Sequence, residues 1–127
     1  MKRLYYVALG TILAALTAAV PFTRGQNVSL DPVKLSPQYY AVRLENDRVR
    51  VLEYRLKPGE KEVMHSHPAS VVQFLSDATL RATLPNGTKS ETTVKKGDIV
   101  WREPFSHALE NIGRTELHVL LVELKKP

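Results

Sequence analysis

From Tyr39 onward the chain runs in short stretches that alternate apolar and polar residues, each closed by a turn signal. Residues 40–45 end at Asn46-Asp47. In 49–56, Val49, Val51 and Glu53 fall on one face and Arg50, Leu52, Tyr54 and Leu56 on the other, the period of two expected of a strand with one buried side. Lys57-Pro58-Gly59 turns the chain. Stretches 63–67 and 70–75 follow, split by Pro68-Ala69. In 78–84, Leu80, Ala82 and Leu84 alternate with Thr79, Arg81 and Thr83. Pro85-Asn86-Gly87 is a strong hairpin signal. The Thr-rich 88–94 suits an exposed strand, and Lys95-Lys96-Gly97-Asp98 turns again. Residues 99–102, 107–111 and 116–124 are the remaining strand candidates. No window after residue 25 has a helical period and nothing repeats. Eight or more short strands at this spacing predict an all-β fold, a small antiparallel sandwich or jelly-roll β-barrel.

The first 25 residues break this pattern. Lys2 and Arg3 precede an uncharged stretch, 4–20, rich in Leu and Ala, and small residues follow at Ala18, Ala19 and Gly25. This is the layout of a secretory signal peptide. Cleavage is expected after Gly25 or after Ala19; retention as an anchor is the alternative, because 17 apolar residues stand at the lower limit for a spanning helix. Export places the mature protein in the periplasm or outside the cell, with no stable membrane insertion after cleavage. Residues 26–38, with Pro32 and Pro37, read as an extended N-terminal arm or loop leading into the domain, and 39–127 as one domain. Loss of Lys2, Arg3 and Arg24 lowers the net charge from +5 to +2. The remaining basic residues are interspersed with acidic ones, which argues against a nucleic-acid partner. The absence of cysteine removes disulfides, thiolate metal sites and Cys nucleophiles.

The chain has four histidines. Two of them, His65 and His67, stand at i and i+2 after the Pro58-Gly59 turn, so on a strand they share one face with Cα atoms about 6–7 Å apart. Two ring nitrogens can then converge on one ion. His107 lies in a second turn-rich stretch, with Asn111 four residues on. The order Gly59-x5-His65-x-His67, then Gly97, Pro104 and His107-x3-Asn111, resembles the two motifs of the cupin superfamily, across roughly residues 40–124. The chain has the aspect of a small single-domain cupin with a leader. In that family, both His of the first motif, a Glu separated from the second His by three or four residues, and the His of the second motif bind one metal inside a small jelly roll. Here those Glu slots hold Val71 and Val72, and the first motif's closing Gly is replaced at Ser76-Asp77.

The resemblance implies that His65, His67 and His107 hold one divalent transition metal, Fe, Zn, Ni, Mn or Cu; imidazoles without thiolate do not choose among these. Three protein ligands leave coordination positions open, as in catalytic sites. Gln73 is the nearest additional oxygen donor, and Trp101, Phe105 and His118 are further candidates for the pocket. Arg81 and Arg102 could hold an anionic substrate. Two functions follow: a metal-dependent enzyme on a small organic molecule, dioxygenase-like or isomerase- or lyase-like, or a non-catalytic module that binds a small ligand. Metal affinity is expected to fall as pH drops through the ordinary imidazole range near about 6.5. Pairing into a homodimer is also expected from the resemblance. Mass spectrometry of the exported protein should find a chain beginning near Gln26 or Val20; a cytoplasmic product retaining Met1 overturns the leader.

Overall fold

The computed structural model describes residues 29–127, so the expected leader and its cleavage sites lie outside the described residues. Nine strands follow a short N-terminal segment: β1 Tyr40–Glu45, β2 Val49–Leu56, β3 Lys61–His67, β4 Ser70–Phe74, β5 Ala78–Thr83, β6 Lys89–Val94, β7 Ile99–Arg102, β8 Phe105–Asn111 and β9 Leu117–Leu124. They pair antiparallel into a five-stranded sheet, ordered β1-β2-β9-β4-β7, and a four-stranded sheet, ordered β3-β8-β5-β6. The two sheets enclose the core as an all-β jelly roll.

The N-terminal arm is not wholly extended. Pro32–Leu35 forms one helical turn, α1, and Pro37–Tyr39 a 3-10 turn. Asp31 caps α1 by accepting from the Val33 N–H, and Pro32 and Pro37 stand where a missing N–H costs nothing. Four residues are too few to leave a periodic signature, so the pattern could not reveal this turn.

Alternation separates core from surface along most of the strands, although Leu84, in phase with the buried Leu80, is 42% exposed. Leu52, Tyr54 and Leu56 of β2, Leu117, Val119 and Leu121 of β9, and Val72 and Phe74 of β4 are buried between the sheets, joined by Ala78, Leu80 and Val94. Two motif glycines hold turns at positive φ, Gly59 at 82° and Gly97 at 94°, a region that a side chain disfavours. The Gly59 N–H donates to the Asn111 carbonyl at 2.9 Å. Asn111, fully buried, acts on backbone: its Nδ2 donates to the carbonyls of Leu56 and Thr115, both at 2.8 Å, and its Oδ1 accepts from the Gly113 N–H at 3.0 Å. It ties β8 to the neighbouring turns rather than facing a ligand.

Residues opposite one another in an antiparallel pair point to the same face. Register therefore sorts the five-stranded sheet into rows. Arg50, Glu123, Ser70 and Arg102 form an inward row at one end of the barrel. Leu52, Leu121, Val72 and Val100 form the next inward row. Between them, Leu44, Val51, Val122, Val71 and Trp101 form an outward apolar row.

Candidate metal centre

His65 and His67 lie on β3 and His107 on β8, its neighbour in the four-stranded sheet, directly opposite His65. The alternation that buries His65 and His67 is interrupted just upstream. The β3–β8 register shifts between Glu62 and His65, and this bulge turns Glu62 inward although it stands three residues before His65. The three imidazoles converge: one ring nitrogen from each lies within 4.8 Å of the others. Ring centroids are 4.9 Å apart for His65 and His67, 4.6 Å for His65 and His107, and 5.9 Å for His67 and His107.

Hydrogen bonds choose which nitrogen faces inward. The His65 Nδ1–H donates to the Val63 carbonyl at 2.7 Å, with Glu62 Oε1 3.4 Å from the same nitrogen. The His65 Nε2 is buried and has no partner. His67 Nδ1–H donates to Glu123 Oε1 at 2.8 Å, which leaves its Nε2 free as well. Backing an imidazole with a carboxylate or carbonyl is how metal-binding histidines are commonly held in one tautomer. An orphaned buried Nε2 beside two further imidazoles fits a divalent metal by its donor chemistry.

Burial sets the protonation states. It pushes His65 down to about 4, and His107 to about 3, the latter helped by His65, His67 and Arg102. Both rings are thus neutral well below the ordinary range, and their protons compete with a metal only near those lower values. This corrects, for these two ligands, the expectation of weakening near about 6.5. Burial pushes Glu62 up to about 7, against hydrogen bonds from hydroxyl groups around it, including Tyr40, whose O–H donates to Glu62 Oε2 at 3.1 Å. Burial also pushes the Glu123 carboxyl up, but the hydrogen bonds from His67 and Arg50 outweigh it and hold Glu123 below its ordinary range.

A cavity of about 510 Å³ opens onto the three histidines. Its walls are apolar, with Val72, Phe74, Leu80 and Leu121 among them, and Tyr40, Tyr54, Arg102 and Phe105 also face it. Phe105 packs edge-on to His107, with ring centroids 4.8 Å apart. Three of the four further pocket candidates lie elsewhere. Gln73 opposes Leu120 and Ile99 and shares their outward face, since the inward positions of β4 are Ser70, Val72 and Phe74. Trp101 is 52% exposed on the outer row and donates its Nε1–H to Glu103. His118 is outward on β9 and bonds Glu53 through Nε2 at 2.8 Å. Val71, one of the two slots for the family's Glu, also points outward, and Val72, the other, is apolar wall. Arg81 is paired with Glu91 and Glu110.

Glu62, Glu123 and Arg50 were not singled out by sequence. Glu123 had a usable signal, a carboxylate in phase with Leu117, Val119 and Leu121. Glu62 had none, because the bulge reverses its parity.

The jelly roll is shared with cupin-domain proteins. A cupin domain from Bordetella pertussis Tohama I is 28% identical, with a TM-score of 0.63, over 68% of this chain and 92% of that one. An uncharacterized conserved protein with a double-stranded β-helix domain from Klebsiella pneumoniae subsp. pneumoniae MGH 78578 is 24% identical, with a TM-score of 0.53, over 69% and 84%. An RmlC-like cupin family protein with a double-stranded β-helix fold from Methanocaldococcus jannaschii is 18% identical, with a TM-score of 0.53, over 67% and 79%. No protein-family model matches the chain, and no curated protein matches it.

The buried charges make stability depend on pH. As pH falls below about 6.5, unfolded chains protonate His65 and His107, whereas the folded protein does so only near 4 and 3. Glu62 opposes them, holding a proton in the fold up to about 7 that the unfolded carboxyl loses above 4.5. Between those limits the unfolded state carries one more proton across the three groups. The metal-free protein should therefore lose stability on acidification from 6.5 to 4.5, on the order of 1 kcal/mol per pH unit. Urea denaturation at stepped pH checks this; Glu62→Gln should steepen the slope, and stability that stays level or rises contradicts it.

Proposed function

We propose that His65, His67 and His107 hold one divalent transition metal at the inner end of the cavity, and that the protein acts there on a small organic molecule. The observation that carries this reading is the convergence of three imidazoles around a buried His65 Nε2 that has no partner among the described residues. A metal with open coordination positions would supply Lewis acidity toward a substrate oxygen or activate water or O2. The chain's own residues supply the rest. Val72, Phe74 and Leu121 exclude water and receive an apolar body, in a volume within the range of small-molecule sites. Burial and the nearby carboxylate of Glu62 push the Tyr40 and Tyr54 hydroxyls upward, so they remain neutral and orient polar groups rather than take protons. This chemistry suits a dioxygenase-like or an isomerase- or lyase-like reaction. The second reading, a module that binds a ligand without turnover, draws on the wall at Val72, where the expected carboxylate ligand is missing.

We also propose that residues 1–25 direct export and are removed, placing the mature protein in the periplasm or outside the cell. No helix among the described residues is long and apolar enough to cross a membrane. The outward row of Leu44, Val51, Val122, Val71 and Trp101 supports a homodimer, since two copies packed through it would cover Leu44 and Trp101, which are 50% and 52% exposed. Sedimentation should show a dimer that Trp101→Glu weakens at least tenfold; a monomer at high concentration removes the proposal.

Metal analysis of protein purified without added metal should find one equivalent per chain. His65→Ala, His67→Ala and His107→Ala should each lose most of it, and His118→Ala and Gln73→Ala should keep it. Full occupancy in both His65→Ala and His107→Ala sinks the three-histidine centre. A screen for O2 uptake and for isomerase or lyase turnover then separates enzyme from binding module.

A further inference from the structure

Behind His67, on the side away from the cavity, runs a chain of charged groups that the proposed function leaves unused. Glu123 is 2% exposed, and its Oε1 accepts from His67 Nδ1 at 2.8 Å. Its Oε2 accepts from Arg50 Nε at 2.7 Å. Arg50 stands opposite Glu123 in the β2–β9 register, so both project into the same end of the barrel. The far edge of the guanidinium then grips Asp31 with two bonds, Nη1 to Oδ2 at 3.1 Å and Nη2 to Oδ1 at 3.0 Å. Asp31 is itself fixed as the cap of α1. The segment carrying it is also tied to β3 beside the histidines, because the Ser66 N–H donates to the Leu30 carbonyl at 2.8 Å.

A buried carboxylate is tolerated only when its charge and lone pairs are met. His67 meets one oxygen of Glu123 and Arg50 meets the other, so the guanidinium is what fixes the aim of the carboxylate toward the ring. Arginine suits the place: its planar fork serves two carboxylates at once, whereas a lysine is a single point charge. A correctly aimed Glu123 in turn accepts from His67 Nδ1 and leaves Nε2 directed to the cavity. If Glu123 turns away, the ring can rotate or place its own proton on Nε2, and that nitrogen then cannot ligate.

We propose that Arg50 is a positioning residue of the three-histidine centre, acting through Glu123 on the tautomer and orientation of His67, and that Asp31 of the N-terminal segment sets Arg50 in place. The first and last links of this relay are far apart in sequence, so the segment before β1 is part of the metal site's support rather than a loose leader-to-domain tether. The inference rests on the metal-binding reading above.

The test uses Co(II) as the probe on metal-stripped mature protein, with affinity read from competition with a chromogenic chelator. Nitrogen-15 spectra of the imidazoles in the metal-free protein give a second readout. Arg50→Met should weaken Co(II) binding about 10- to 100-fold and remove the protected His67 Nδ1–H signal. Arg50→Lys should restore part of both, and Asp31→Asn, a milder change at the partly exposed end, should weaken binding less than Arg50→Met. Thermal melts identify variants that fail to fold, in which case Arg50→Lys and Asp31→Asn decide. Wild-type protein that binds no Co(II) overturns the metal reading itself. Wild-type protein that binds it, alongside folded Arg50 and Asp31 variants with unchanged affinity and an unchanged Nδ1–H signal, overturns the role of Arg50 alone.

Discussion

A carboxylate buried inside a small barrel must find partners, and Glu123 organises much of this structure by finding them. It stands in phase with Leu117, Val119 and Leu121, which are core. Placing a charge there is costly unless it is paired. Its two partners come from different sides, Arg50 across the β2–β9 ladder and His67 from the opposite sheet, and Arg50 is held in turn by Asp31 of the N-terminal segment. One buried group thereby links both sheets and the segment before β1. The same bonds decide which nitrogen of His67 faces the cavity.

The barrel interior is graded by rows. At one end, the five-stranded sheet turns Arg50, Glu123, Ser70 and Arg102 inward; one step along, it turns Leu52, Leu121, Val72 and Val100 inward. The histidines of the four-stranded sheet face this gradient from the other side. Of the polar row only Arg102 lines the cavity; Arg50 and Glu123 lie behind it, and Val72, Phe74, Leu80 and Leu121 supply apolar wall. The burial that keeps the walls dry also pushes His65 and His107 toward their neutral forms.

Glu62 belongs to the same economy of buried charge but solves it differently. Among the described residues no Lys or Arg lies against it; burial raises it to about 7, and Tyr40 satisfies one oxygen. Glu123 is held below its ordinary range by its hydrogen bonds from His67 and Arg50. Two carboxylates behind two histidines of one strand thus shift in opposite directions, and the difference lies in the hydrogen bonds each receives.

The sequence by itself determined the strand pattern, the two faces of β2 and, through the motif resemblance, the three histidines that converge. The faces of β2 and the shared side of His65 and His67 follow from alternation, which survives folding because a strand cannot change the side a residue faces without an extra residue; His107 joins them only through the resemblance. The sequence also showed the lack of a carboxylate beyond His67, since Val71 and Val72 are plain in the chain. Tertiary structure alone decided the rest. The bulge after Glu62 reversed the parity that local pattern assigns. Strand order sent Gln73, Trp101 and His118 to the outer face, a choice that depends on which side of each strand the other sheet covers. The pairing of His67 with Glu123, and of Arg50 with Asp31, joins residues 56 and 19 positions apart. No local periodicity encodes such pairs, because only closing the barrel makes burial of one charge conditional on the position of another.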